Sequence, residues 1–198
     1  MKRFITLLFT LYAVLLQPLA ANASYFPSTQ ITDNKETAYR ASTPVFTTAA
    51  SATDIFNFKG SGTKTIYIRK IVWKQANLTG GSTTHSVYLL KRSTANSGGT
   101  SSAITAVPLD SSFPSATASG VYYTANPTVG TSLGALAHAN RYYGSYPDIE
   151  IEAVLTDATK GGSPIVLRGT GESISVNYNG VTDAIGTSAV VDIEWSEK

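Results

Sequence analysis

The sequence contains no cysteine. Disulfide bonds, thiolate catalysis and cysteine-ligated metal centres are therefore excluded, and packing and hydrogen bonds must hold the fold together. Charged side chains are also scarce, at 14% of the 198 residues. After residue 23 no apolar run approaches the roughly 20 residues that a membrane-spanning helix needs. This composition favours a β-rich extracellular or particle-borne protein without a stable membrane span.

The first 23 residues differ in composition from the rest of the chain. Lys2 and Arg3 precede a mostly apolar run, and small residues stand at both signal-peptidase positions of the tripeptide 21–23. Segment 1–23 is therefore predicted to be signal-peptide-like, with a retained apolar arm or anchor as the alternative. Without this segment the chain has equal numbers of basic and acidic side chains. The sequence thus predicts no nucleic-acid partner, which would require a basic face.

Beyond this segment, apolar and polar side chains alternate with the two-residue period of β-strands. The pattern is clearest in six segments: 64–73, 85–92, 120–126, 164–169, 172–178 and 187–195. In the first, Ile66 and Ile68 are predicted on one face, and Ile71 and Trp73 on the other. In the last, Trp195 is predicted on the buried face. Short strands separated by Gly, Pro, Asn and Ser favour an all-β fold, an antiparallel, jelly-roll-like β-sandwich, with a barrel as the second choice.

Composition divides the chain into three parts. Segment 1–23 is followed by residues 24–50, which are rich in Ser, Thr and Ala and are predicted to form an extended N-terminal arm that packs on a neighbouring molecule. Residues 51–198 are predicted to be the β-sandwich domain. Within it, KGSGTK (59–64) lacks the context of a phosphate-binding loop and predicts a hairpin turn. The Asn-Gly pair at 179–180 predicts a second, wider hairpin.

Residues capable of catalysis or metal binding are few. The two histidines, His85 and His138, have no metal-ligand spacing. Asp148, Glu150 and Glu152 share one side of a predicted strand, and they are the best candidates for the carboxylates of a glycosidase or a calcium site. An acidic strand face in solvent or at a subunit contact is the interpretation we favour. We therefore expect no enzymatic activity, no cofactor and no metal.

Two further groups of side chains are candidates for surface contacts. Tyrosine is the most frequent aromatic residue, and five tyrosines form a candidate contact surface for protein or sugar: Tyr122, Tyr123, Tyr142, Tyr143 and Tyr146. Because neighbouring residues of a strand point to opposite faces, one member of each adjacent pair is expected in the core. The basic pair Lys91 and Arg92 is predicted to lie on a solvated strand face.

Four ordered segments of the sequence resemble those of a known family. They are KRSTANSGGT (91–100), YTANPT (123–128), PIVLRGT (164–170) and EWSE (194–197). Over about residues 50–198 the chain resembles bacteriophage and prophage virion structural proteins. The resemblance implies a component of the head or tail surface without enzymatic activity. The leader-like segment and residues 139–162 depart from the family's pattern.

These observations lead to two hypotheses about function. The first is a non-enzymatic structural protein of a phage particle, a head decoration or tail-surface component that acts through protein–protein contacts. Its partners would be other copies of itself and other virion proteins, with a host-surface glycan as a further candidate, and its location would be the virion. The alternative is a secreted or periplasmic bacterial adhesin or carbohydrate-binding β-sandwich module, exported by the leader. A secreted hydrolase is the least favoured class.

Overall fold

The computed structural model describes residues 36–48, 53–76, 84–142, 151–178 and 188–198, all of them in one compact unit, Glu36–Lys198. This described part of the chain contains thirteen strands and one short 3-10 helix. The strands are β1 Thr37–Ser42, β2 Phe46–Thr47, β3 Asp54–Lys59, β4 Thr65–Ala76, β5 Thr84–Arg92, β6 Ser101–Ala103, β7 Val107–Pro108, β8 Ser119–Tyr123, β9 Ser132–Tyr142, β10 Ile151–Asp157, β11 Ile165–Arg168, β12 Ser173–Tyr178 and β13 Ser188–Glu197. The 3-10 helix is Ala158–Lys160.

The strands form two antiparallel sheets. The first sheet has the order β10-β4-β13-β1-β7, with β11 also paired to β4 and β2 to β13, and the second has the order β6-β8-β3-β12-β5-β9. The chain passes repeatedly from one sheet to the other, as from β3 to β4 and from β12 to β13, which gives the sandwich its jelly-roll-like character. The predicted all-β sandwich is confirmed. The described residues include no helix long and apolar enough to span a membrane.

The core lies between the two sheets and takes side chains from both. Its largest fully buried members are Trp73, Trp195, Tyr39, Phe56, Phe58, Ile55, Ile66, Ile68, Ile71, Leu89, Leu167 and Ile174. The ring of Trp195 stacks on Tyr39 with centroids 5.5 Å apart and meets the ring of Phe58 edge-on at 4.8 Å. Such aromatic pairs each contribute about 0.5–1.5 kcal/mol beyond the burial of their area. This cluster therefore joins the two sheets at one end of the sandwich.

A β-bulge in β4 changes which of its side chains face the core. In the ladder between β4 and β13, no residue of β13 lies opposite Arg69. One extra residue reverses the alternation of the strand, so Ile66, Ile68, Ile71 and Trp73 all face inward and are 0% exposed. The prediction that the first two lie on one face and the last two on the other is therefore wrong.

The described part of the predicted arm, 36–48, belongs to the sandwich. It is extended, as expected, but β1 pairs with β13 on one side and β7 on the other, within its own chain. Tyr39 and Ala41 alternate with polar residues and are buried in the core, which explains why the strand inserts there. The boundary predicted at residue 50 therefore does not separate the arm from the domain.

Both predicted hairpins are wrong, because the strands that they would connect lie in different sheets. Residues 60–64 lead from β3 in the second sheet to β4 in the first. Asn179 and Gly180 lie outside the described residues, but the strands on either side of them, β12 and β13, are likewise in separate sheets. The first connection is tight: a Cβ atom on Gly60 would lie 2.4 Å from the backbone oxygen of Gly169. Local turn chemistry indicated a reversal of the chain at both places, but it could not indicate the change of sheet.

Candidate functional site

A buried ion pair lies on the outer face of the second sheet, the face turned away from the core. Asp54 begins β3 and Arg92 ends β5, and their side chains are 0% and 4% exposed. The guanidinium of Arg92 donates from Nε to Asp54 Oδ2 at 2.7 Å and from Nη2 to Oδ1 at 2.6 Å. Because both charges are removed from water, the remaining hydrogen-bonding positions around them must also be filled.

Neighbouring polar groups fill those positions. Asn96 Nδ2 donates to Asp54 Oδ2 at 2.8 Å, and Asn177 Nδ2 donates to Asp54 Oδ1 at 2.7 Å. Arg92 Nη1 donates to the carbonyl of Gly130 at 2.5 Å, and the amide of Gly130 donates to Asn96 Oδ1 at 2.9 Å. We call these five residues the clamp. The Asp54 carboxylate accepts four hydrogen bonds and has no exposed surface, so its charge serves to hold its neighbours.

The clamp holds together two loops, residues 93–100 and 124–131, which we call the loop pair. Ser97 and Thr128 exchange backbone hydrogen bonds at 3.0 and 2.8 Å, which makes an isolated antiparallel bridge between the loops. At Gly130 the loops approach so closely that a Cβ atom would lie 1.9 Å from a backbone oxygen of the facing loop. The loop pair is therefore ordered by its own contacts and by the sheet beneath it.

The outer surface of the loop pair is made of small exposed residues. Ser97, Gly98, Gly99 and Thr100 are exposed on the first loop, as are Thr124, Ala125, Asn126 and Val129 on the second. Small side chains leave the backbone of these loops accessible to another molecule. Because the loops are already ordered, a partner that binds them loses little additional chain entropy.

A second anchored segment, residues 104–118, which we call the strap, lies over the end of the core near Trp195. The carboxylate of Glu197 accepts hydrogen bonds from the amides of Thr117 and Ala118, both at 3.0 Å, and from the indole of Trp195 at 3.1 Å. Burial alone would raise the pKa of Glu197, but these hydrogen bonds outweigh it and lower the pKa below its ordinary value. The other end of the strap pairs with β1.

The strap leaves a cleft between itself and the core. The cleft has a volume of about 320 Å³. Its walls include Phe58 and Trp195 of the core and Ile104, Phe113 and Pro114 of the strap. The arrangement is an apolar recess below an anchored loop, with the Glu197 carboxylate engaged in holding the strap.

A charged cluster joins the start of the described chain to its end. Glu36 accepts a hydrogen bond from Ser196 Oγ at 2.8 Å and lies against the cationic groups of Arg69 and Lys198. The hydrogen bond from Lys198 is the main cause that lowers the pKa of Glu36, and burial has the opposite effect. The resulting pKa of Glu36 is about 2. The cluster ties Glu36, directly before β1, to β4 and to the C-terminal residue.

No protein-family model, curated protein or solved structure matches this chain. The four segments that carry the predicted resemblance lie within the described residues. KRSTANSGGT contains two members of the clamp and the whole of the first loop, and YTANPT contains the start of the second loop. PIVLRGT contains the core residue Leu167, and EWSE contains Trp195 and Glu197, which anchor the strap. The segments thus supply contacts that order loops and core.

The predicted tyrosine surface is not assembled from the tyrosines whose side chains the structure describes. Tyr122 packs inward against Phe46, with ring centroids 4.8 Å apart. Tyr123 is 2% exposed on the opposite face, where burial, together with the charge of Asp54 and against a hydrogen bond with Asn96, raises its pKa. Tyr142 ends β9, with its side chain outside the described residues, and Tyr143 and Tyr146 also lie outside them.

The candidates for catalysis and metal binding are not brought together within the described residues. His138 is exposed on β9, where it stacks on Tyr88 with centroids 4.4 Å apart. The side chain of His85 lies outside the described residues, as do Asp148 and Glu150, and Glu152 is described only as a backbone position of β10 opposite Lys74. In the described ranges no three His, Asp or Glu residues are close enough to hold a metal ion.

Sequence reasoning placed Arg92 on a solvated face, and this is wrong. Arg92 is 3% exposed because its charge is matched by Asp54 and covered by the loop pair, whereas its neighbour Lys91 is half-buried and pairs with Glu172 at 3.4 Å. Asp54 and Glu197 were not predicted to matter at all. The one available signal was an acidic residue directly before the apolar strand IFNF in a chain with few charges.

Proposed function

We propose that this protein is a non-enzymatic structural component of a bacteriophage particle, a head decoration or tail-surface protein that acts through protein–protein contacts. The observation that carries the proposal is the loop pair, a surface of small exposed residues held in place by a buried ion pair. Two of the four segments that resemble phage structural proteins supply the first loop, most of the second loop, and the clamp residues Arg92 and Asn96. The resemblance and the geometry therefore point to the same part of the molecule.

The way the buried charges are used supports a contact role. Asp54 and Arg92 have almost no exposed surface, and the Asp54 carboxylate accepts four hydrogen bonds within the clamp. A charge in this position stabilises one conformation of the loops, at the expense of burying an ion pair. A buried ion pair that fixes a loop conformation is expected where the loop must present a defined surface to a partner.

Purified particles test this proposal. Particles induced from a host that carries the gene are banded by density and analysed by mass spectrometry, and we expect this chain at a fixed ratio to the major capsid or tail protein. A matched strain lacking the gene provides the control, and its particles should lack the corresponding density in cryo-electron microscopy. Absence of the chain from washed, infectious particles would refute the virion role.

The leader-like segment favours the second candidate, a secreted adhesin or carbohydrate-binding module. Its charge pattern and small residues at 21–23 are those of an exported protein. The mass of the native N-terminus separates the candidates: a chain that begins at Ser24 and is found in the periplasm or medium supports export. A chain that begins at Met1 within particles supports the virion role. Glycan-array binding by the exported form would identify a sugar ligand.

A further inference from the structure

The last strand of the second sheet, β9, presents a long edge. One side of β9 forms a ladder with β5 from Ser132 to Tyr142. Among the described strands, none forms a ladder with its other side, although β9 approaches β10 of the first sheet. An edge of this length carries a row of backbone donors and acceptors that suit pairing with another strand.

Two bulges in β9 each carry an exposed leucine. The ladder to β5 skips Leu133 and Leu136, each of which is an extra residue on the β9 side. Bulges redirect side chains, and these two leucines are 61% and 47% exposed. From Ala137 to Tyr142 the ladder is regular. The strand thus combines an apolar half with a half that has ordinary strand geometry.

The scarcity of charge along β9 indicates what pairs with it. Residues 132–140 contain no Asp, Glu, Lys or Arg, and Arg141, near the end of the strand, is its one charged residue. When two identical strands meet about a two-fold axis, the same patch faces itself, so any charge near the axis meets its own kind. The uncharged residues 132–140 avoid that repulsion. The neighbouring edge strand of the first sheet, β10, includes Glu152 and Asp157 and lacks this property.

We propose that two copies of this chain associate through β9, with the two strands antiparallel about a two-fold axis and Leu133 and Leu136 packed against the second copy. The proposal rests on the proposed contact function and names the partner for one of its surfaces. The leucines exclude water from the contact, and the regular half of the strand supplies backbone hydrogen bonds. The loop pair remains available for other virion proteins.

Sedimentation of the purified full chain tests this arrangement. We expect the wild type to form a dimer as its concentration rises, and the double variant Leu133→Lys/Leu136→Lys to raise the dissociation constant about tenfold or more, because like charges would meet at the axis. Leu109→Lys is the matched control, since Leu109 is 55% exposed on the strap, away from β9. The control should associate as the wild type does.

Two results would overturn the proposal: a wild type that stays monomeric at the highest concentration, or a double variant that dimerises as well as the control. Circular dichroism and the unfolding temperature establish that each variant is folded. If the double variant does not fold, cross-linking takes its place. The chain has no cysteine, so one introduced residue provides the only thiol. With the axis near Leu136, the single variant Leu136→Cys should yield disulfide-linked dimers on mild oxidation. Asn140→Cys, about 13 Å farther along the strand, and Leu109→Cys should not; equal yields would contradict the pairing.

The failure of this inference can be distinguished from failure of the proposed function. A chain that is present in particles but shows no β9-dependent association would keep its virion role and lose the β9 contact. A chain that dimerises through β9 yet is absent from particles would keep the contact and lose the role.

Discussion

Arg92 and Asp54 form a doubly hydrogen-bonded ion pair across the second sheet, although they are 38 positions apart in the sequence. The strand β12 lies between their own strands, and its residue Asn177 donates to the same carboxylate. This one interaction therefore joins three strands and the two loops above them. It converts two segments of small polar residues into an ordered surface.

Asp54→Asn should destabilise the protein by about 3–5 kcal/mol, because it leaves the charge of Arg92 buried without a partner. Urea unfolding followed by tryptophan fluorescence measures the change. Asp192→Asn is the matched control: Asp192 pairs with Lys74 at 3.2 Å on the outer face of the first sheet. Loss of this more exposed pair should cost about 0–1 kcal/mol. Equal losses for the two variants would show that the clamp is not a special source of stability.

Glu197→Gln should loosen the strap. The amide oxygen can replace Oε1, which accepts from the amides of Thr117 and Ala118, but the NH₂ group then replaces Oε2, to which Thr117 also donates. Loss of the charge weakens the remaining hydrogen bonds, and the change should cost about 1–3 kcal/mol. Hydrogen exchange should show faster exchange at the amides of Thr117 and Ala118 than in the wild type. Glu194→Gln, on the outer face of the same strand, should leave exchange at these two amides unchanged. Unaltered protection in Glu197→Gln would contradict the anchoring role.

Acid should remove the stabilisation that Glu36 provides. Its pKa is about 2 in the folded protein and 4.5 ordinarily, so the folded state favours the carboxylate. The contribution is therefore fully present above pH about 4.5 and is lost as the pH falls towards 2. Thermal unfolding of the wild type and of Glu36→Gln should show a difference in stability that is constant from pH 7 to 5 and shrinks below that. A difference that grows on acidification would contradict the sign.

Gly130→Ala should destabilise the loop pair, because the added Cβ would lie 1.9 Å from a backbone oxygen of Thr94. Moving the loops apart would also weaken the contacts of Gly130 with Arg92 and Asn96, so a cost of about 1–3 kcal/mol is expected. In Gly62→Ala the nearest atom is 3.7 Å away, and the unfolding temperature should hardly change. Differential scanning calorimetry of both variants provides the comparison. Similar unfolding temperatures would show that the loops can separate without loss of stability.

The strands themselves could be predicted from the sequence. Residues 191–195 alternate apolar and acidic side chains, and the structure buries Val191, Ile193 and Trp195 while Asp192 and Glu194 lie on the outer face. Period-two alternation is a local property, because one face of each strand meets the core and the other meets solvent. The same reasoning could not predict the bulge at Arg69, because a bulge depends on the register of the neighbouring strand.

The candidate site was less accessible to sequence reasoning than the strands. The basic pair at 91–92 looked like any solvated pair, because a long charged side chain is normally exposed. Only its partner Asp54, brought from another strand, makes burial of Arg92 favourable. The tyrosine pair at 122–123 was correctly expected to point to opposite faces, but the loop that covers Tyr123 could not be predicted from alternation alone.

The sequence by itself determined that the chain is built from strands, because the alternation of side chains is written in neighbouring residues, and that disulfides take no part in its stability. Tertiary structure decided which strands share a sheet, where β4 reverses its alternation, and which charges are buried. The physical reason is the distance along the chain over which each effect acts. Side-chain periodicity acts over a few residues, whereas the pairing of Asp54 with Arg92, and of Glu197 with the strap, joins parts of the chain that meet only after the sheets have formed.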